Sequence, residues 1–304
     1  MLKTLSLTFV LCCSSVALAA GLPSPVVGGT TVPAGEWPDA VAVLAANAAC
    51  TGTLIAPDVV LTAGHCIGVN PQVVIANSVD YAATGGEAIR VKTTAAYPSW
   101  QTSYDVGVLV LDHAAKTKPR AVAAECTAEQ LVPGAKVRVV GFGLTTKTGT
   151  GDNTKLHQAE LPVDDASCTQ DASCESKVAP DGEFTAGGDG TDACFGDSGG
   201  PVYLGSGDSA SVIGVVSRGL ALPGQPCGNG GVYVRADKVV PWIEKTTGRT
   251  IARASCPGGK ADGEDGTTSE SSGGCLAANG VVGFGVLAVV VGLILARPRK
   301  RRAP

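Results

Sequence analysis

Apolar residues in this chain come in short β-branched runs separated by glycine and polar turns. Val59-Val60-Leu61 and Val106-Gly107-Val108-Leu109-Val110-Leu111 are typical. Each is long enough for one strand and too short for a buried helix. Only Lys238–Thr247 has helical spacing, with Val239, Val240, Trp242 and Ile243 on one apolar face. Two further runs differ in kind. Leu5–Cys13 follows Lys3 and precedes Ala17-Leu18-Ala19, the layout of a signal peptide covering 1–19. Leu276–Ala296 has about the length of a bilayer-crossing helix. Before it, Pro257–Gly274 is Gly, Ser, Thr and acid, which reads as a flexible linker (257–274). After it, Arg297, Arg299, Lys300, Arg301 and Arg302 make 297–304 a basic cytoplasmic tail, with the rest of the chain outside.

Composition supports strands over helices. Among 304 residues there are 41 glycines, with only 16% charged and 4% aromatic. That fits an all-β, loop-rich fold. A net charge of -4 gives no reason to expect a nucleic-acid partner. Eleven cysteines point to an oxidising compartment. Cys12 and Cys13 leave with the signal and Cys275 belongs to the tail, so eight remain for the body of the protein.

Chemistry concentrates in Asp192-Ala193-Cys194-Phe195-Gly196-Asp197-Ser198-Gly199-Gly200-Pro201. A Gly-rich turn with an incidental serine and a loop presenting a reactive hydroxyl both fit these ten residues. A serine needs a base, usually histidine, and the chain has 3 histidines. His65 lies at a strand end, shortly after Val59-Val60-Leu61 and beside Cys66. His113 and His157 read as surface residues. The base needs a buried carboxylate to hold its tautomer. Asp105 opens the apolar run that follows it, a position that also suits a strand-capping aspartate.

Several segments, in this order and spacing, resemble the chymotrypsin/trypsin family of serine endopeptidases. They are Val26-Val27-Gly28-Gly29, Thr62-Ala63-Gly64-His65-Cys66, Asp105-Val106-Gly107-Val108-Leu109, Gly196-Asp197-Ser198-Gly199-Gly200-Pro201, Gly231-Val232-Tyr233 and Pro241-Trp242-Ile243. The resemblance covers about 26–248. It implies two six-stranded antiparallel Greek-key β-barrels, near 26–122 and 123–248, with a short C-terminal helix. It gives Ser198 the part of nucleophile, His65 that of general base and Asp105 that of orienting carboxylate. The N–H groups of Gly196 and Ser198 would form the oxyanion hole. Asp192 would be the acidic floor of a pocket for Arg or Lys, walled by Gly219 and Gly231, with Ser217 pairing the substrate strand. Val26, freed by loss of a propeptide 20–25, would supply an ammonium to Asp197. That switch predicts activity lost at alkaline pH as the ammonium deprotonates. The implied disulfides are Cys50–Cys66 and Cys194–Cys227. Thr185 stands where the usual partner of Cys168 would be, which suggests Cys168–Cys174 and leaves Cys126 with Cys256. No cofactor and no metal site is implied, and no calcium loop is readable between Gly68 and Arg90.

The chain departs from the family at three places. Pro25 precedes Val26 where Arg or Lys is usual. Arg218 replaces a common tryptophan, and its guanidinium is expected to favour acidic groups in the substrate. The loop Leu220–Pro226 is long and could restrict the pocket. The tail, with Gly273-Gly274-Cys275 before the span, resembles bacterial sorting signals cut by a dedicated membrane protease. The expectation is an exported endopeptidase, anchored or released at the cell surface, acting on peptide or protein substrates after Arg or Lys. A catalytically silent binding or adhesion homologue, or a protease of other specificity, are the competing readings.

Overall fold

A computed structural model describes residues 26–256, apart from 152 and 221. The signal, propeptide, linker, span and tail segments expected from the sequence lie outside the described residues. Among those described, no helix is long and apolar enough to cross a membrane.

Six strands form a closed antiparallel barrel: β2 (Ala40–Leu44), β3 (Ala49–Ala56), β4 (Val59–Thr62), β5 (Val73–Ala76), β6 (Glu87–Ala96) and β7 (Gly107–Leu111). Alternation explains its two faces. In β2, Val41 and Val43 point into the barrel with Leu54, Val60, Ile89 and Leu109. Ala40 and Ala42 face the other way, into a core shared with the second half of the protein. Val60 and Val59 divide in the same manner on β4. The barrel is therefore apolar on both sides wherever the second sheet covers it, and its strands read as continuous apolar runs.

The second sheet has seven strands: β1 (Thr30–Thr31), β8 (Lys136–Gly141), β9 (His157–Pro162), β10 (Glu183–Ala186), β11 (Pro201–Leu204), β12 (Ser211–Gly219) and β13 (Gly231–Arg235). Their order is β1-β9-β8-β11-β12-β13-β10. This corrects the expected second closed barrel, since β9 and β10 meet only at the isolated bridge Val163–Ala186. The physical cause is Asp165. Its backbone still pairs with Thr185, but its carboxylate accepts the N–H groups of Ser167, Thr169 and Gln170. Those bonds turn the chain away from strand geometry. At the start of the described chain, β1 pairs with β9 of the second sheet. The same contact covers His157, expected at the surface and found buried.

The helix forms as expected: the C-terminal helix spans Ala236–Thr247 and buries Val239, Val240 and Ile243. Gly248 ends it in the left-handed conformation (φ 67°). Beyond it, Arg249 donates to Asp58 of the first barrel at 2.6 Å. A second tie between the halves is buried. Trp37 stacks on Tyr203 with centroids 4.3 Å apart, the Arg120 guanidinium lies over both rings, and Asp39 accepts from Arg120 and from the Tyr203 hydroxyl. Among the described residues, four disulfides join Cys50–Cys66, Cys126–Cys256, Cys168–Cys174 and Cys194–Cys227.

Candidate active site

Strand register places the first two site residues. β4 and β7 are antiparallel, with Thr62 opposite Gly107. His65, three residues after Thr62, and Asp105, two before Gly107, therefore leave the pair at the same end. The short turn α1 (Gly64–Ile67) brings His65 back over Asp105. Its backbone N–H donates to Asp105 Oδ1 at 3.0 Å, and its Nδ1 lies 2.8 Å from Oδ2. Ser217, near the end of β12, donates to the same Oδ2 at 2.8 Å. Burial alone would raise the Asp105 pKa, but the bonds from His65 and Ser217 outweigh it and hold the carboxyl below its usual value. Asp105 is thus an anchored anion, not a strand cap.

Ser198 sits on a loop between β10 and β11 that hangs from the first barrel. Thr51 of β3 donates its N–H to Ser198 O at 2.9 Å and its hydroxyl to Gly196 O at 2.8 Å. Gly199 (φ 80°) passes so close to Thr62 and the Thr51 carbonyl that a Cβ would collide with both. Gly196 is also left-handed (φ 100°). The N–H groups of Gly196 and Ser198 donate to no acceptor among the described residues. His65 and Ser198 line one cavity of about 290 Å³, together with Phe195, Ser217, Gly219 and Pro226. No hydrogen bond joins the imidazole to the Ser198 hydroxyl, a looseness common before substrate binds.

Asp192 lies behind this cavity, fully buried and not on its lining. Gly219 and Gly231 stand next to it. A Cβ on Gly219 would lie 3.9 Å from Asp192 Oδ2, and one on Gly231 3.2 Å from Oδ1. Burial raises the Asp192 pKa to about 6, only partly offset by the Gly228, Ala193 and Asn229 N–H groups and the Tyr233 hydroxyl. The Cys194–Cys227 disulfide braces the same wall. His65 also approaches Cys50 and Cys66, but their sulfurs are joined to each other and offer no thiolate for a metal.

The sequence profile of the trypsin family matches residues 26–243. The chain belongs to the trypsin family. It is 32% identical over 246 residues to human transmembrane protease serine 5, covering 74% of this chain and 52% of that one. The chain thus spans about half the length of that relative. It is 30% identical over 236 residues to glucanase inhibitor protein 1 of Phytophthora sojae, covering 72% and 88% respectively. Family membership supports a serine-protease fold.

Within this trypsin-family site, Asp197 is the most isolated charge. It is fully buried, accepts N–H groups from Gly143 at 2.7 Å and Cys194 at 2.8 Å, and has no cation beside it among the described residues. Burial pushes its pKa up to about 7. Val26 is fully buried in the core of the second sheet, and the next residue, Val27, accepts the Asp192 N–H at 2.9 Å. Val26 itself is left-handed (φ 40°), a costly conformation for a β-branched residue.

Arg218 is held by contacts within the protein. Its five N–H donors are all committed: to Glu183 twice at 2.8 Å, to Ser173 O at 2.6 and 3.0 Å, and to Ser217 Oγ at 3.0 Å. The guanidinium is paired with a buried carboxylate, and Arg218 also lines the cavity shared by His65 and Ser198. Residues that sequence reasoning missed are Thr51, Glu183 and Trp100. Trp100, in a turn at Trp100–Thr102, packs against Gly64 with its ring centroid 6.2 Å from that of His65. A buried glutamate in the apolar run Glu183–Ala186 was the one signal for Glu183, since such a charge demands a partner.

Proposed function

We propose that this chain is an exported serine endopeptidase that cleaves after Arg or Lys. The observation that carries the reading is the chain of bonds from Ser217 to Asp105 to His65, facing the same cavity as Ser198. In this reading Ser198 Oγ attacks the scissile carbonyl while His65 Nε2 takes its proton. Asp105 fixes Nδ1–H and stabilises the imidazolium without itself being protonated. The free N–H groups of Gly196 and Ser198 receive the developing oxyanion, each worth about 2.7–4 kcal/mol by general experience. His65 then returns the proton to the leaving amine, and water repeats the sequence on the acyl-enzyme. In this reading a long cationic side chain is directed past Gly219 and Gly231 towards Asp192, which it reaches once the wall in front of that carboxylate opens.

Cleavage at Pro25–Val26 completes the site. The new ammonium would satisfy the buried Asp197 carboxylate and release the left-handed strain at Val26, about 1–2 kcal/mol. Signal peptide 1–19, propeptide 20–25, span 276–296 and the Gly273-Gly274-Cys275 motif extend this reading to an exported, membrane-held protein open to a sorting protease.

A fluorophosphonate probe tests the core of the reading: it should label the Val26-started protein and not Ser198→Ala. Esters of Arg, Phe and Ala then separate specificity. Faster turnover of the Phe ester would remove the role given to Asp192. A second reading, a binding module without catalysis, gains weight from the relative named as a glucanase inhibitor. Absence of labelling in the Val26-started protein would favour it.

A further inference from the structure

Ser217 has one proton and one neighbour that can only donate. Arginine carries five N–H donors and no acceptor. Its Nη1 lies 3.0 Å from Ser217 Oγ, so that oxygen must accept there. The Ser217 proton is thereby directed to Asp105 Oδ2, 2.8 Å away. Arg218 is itself held flat by a two-pronged bond to Glu183, whose side chain is 1% exposed, and by the Ser173 carbonyl. Glu183 in turn accepts the Glu175 N–H at 2.7 Å. A continuous line of oriented bonds thus runs from Glu183 through Arg218, Ser217 and Asp105 to His65. Because a guanidinium stays protonated at any working pH, the direction of the Ser217 hydroxyl does not depend on it.

We propose that Arg218 and Glu183 are positioning residues for His65, acting through the Ser217 hydroxyl. This rests on the proteolytic reading above but concerns a pair outside the Ser198, His65 and Asp105 set. Removing the pair frees the Ser217 hydroxyl to rotate and donate elsewhere. Asp105 then loses a donor on the oxygen that holds Nδ1, and the imidazole loses orientation. Substrate affinity is not the property affected.

The test is a cycle between Arg218→Met/Glu183→Gln and Ser217→Ala in the Val26-started protein. The paired change leaves no unpartnered buried charge, and Glu183→Gln keeps an acceptor for Glu175, which protects folding. We expect kcat for an Arg ester to fall about tenfold with KM within about twofold. In the Ser217→Ala background the same pair should cost less than about twofold. Arg218→Lys should recover part of the loss. The His65 Nδ1–H proton, followed by NMR at low temperature, should move upfield in Arg218→Met/Glu183→Gln. An equal kcat loss in both backgrounds, a loss confined to KM, or an unmoved proton signal would overturn the proposal. The proton signal needs no turnover. If the wild type neither labels with fluorophosphonate nor hydrolyses ester, the proteolytic reading fails, and that signal still decides whether Arg218 orients His65.

Discussion

The two halves of this protein hold their polar residues by different means. In the closed barrel, strand pairing does the placing. His65 and Asp105 leave neighbouring strands at one end and meet because Thr62 faces Gly107. In the open sheet, loops do it. Ser198, Asp192 and Asp197 all lie on the stretch between β10 and β11, braced by one disulfide and by backbone N–H groups. Three of the four disulfides lie wholly in the second half or its flanking segments. The electrostatics follow the same division. Asp105, with donors from two side chains, has a lowered pKa, while Asp192 and Asp197 are raised to about 6 and about 7. On the proposed reading the base is built in, whereas the Ser198 loop would wait for charge from outside: a substrate cation at Asp192 and an ammonium at Asp197.

The largest effect should come from the built-in side. His65→Ala is expected to lower kcat for an Arg ester by about 10⁴-fold while leaving binding of a guanidinium inhibitor within about twofold. A comparable loss of inhibitor binding would mean that the two halves are not separable. Next is the brace on the open side. Cys126→Ser/Cys256→Ser opens a loop of sequence separation 130 and should cost about 5 kcal/mol in the chain-entropy view. Cys168→Ser/Cys174→Ser, with separation 6, should cost about 2 kcal/mol. Urea unfolding of both variants gives the order, and equal costs would show that loop length is not what matters.

Acid should expose the conditional side of the site. A substrate cation favours ionised Asp192, so Arg-ester affinity is complete above about pH 6 and weakens as pH falls through it, with KM rising about tenfold per unit. A neutral ester in the same pH series should not show this limb in KM. The smallest effect concerns stability. With Pro25–Val26 intact, Asp197 prefers its protonated form when folded, so its contribution is full below about 4 and is lost as pH rises through about 7. Starting the chain at Val26 lowers that pKa and should flatten the slope. Parallel melting curves of the two forms between pH 4 and 7 check it.

How much could be read from sequence follows the same division. Periodicity reports burial, so the short apolar runs of the first barrel and the face of the C-terminal helix were legible. Cys50–Cys66, Cys194–Cys227 and the polar residues around Asp105 followed from a family likeness, whereas Cys168–Cys174 and Cys126–Cys256 were what remained where the chain departs from it. What escaped was chosen by tertiary partners. Thr30 and Thr31 look like any polar pair, yet they cross to β9. Asp165 looks like a loop acid, yet its three accepted N–H groups keep the second sheet open. Arg218 reads as a free surface cation until Glu183, 35 residues away in sequence, takes it.

The bond from Thr51 to the Ser198 carbonyl has a dynamical meaning. The Ser198 loop is fastened to a strand of the half that carries His65. A displacement of one half against the other therefore carries serine and imidazole together, and this bond shields their separation from that motion.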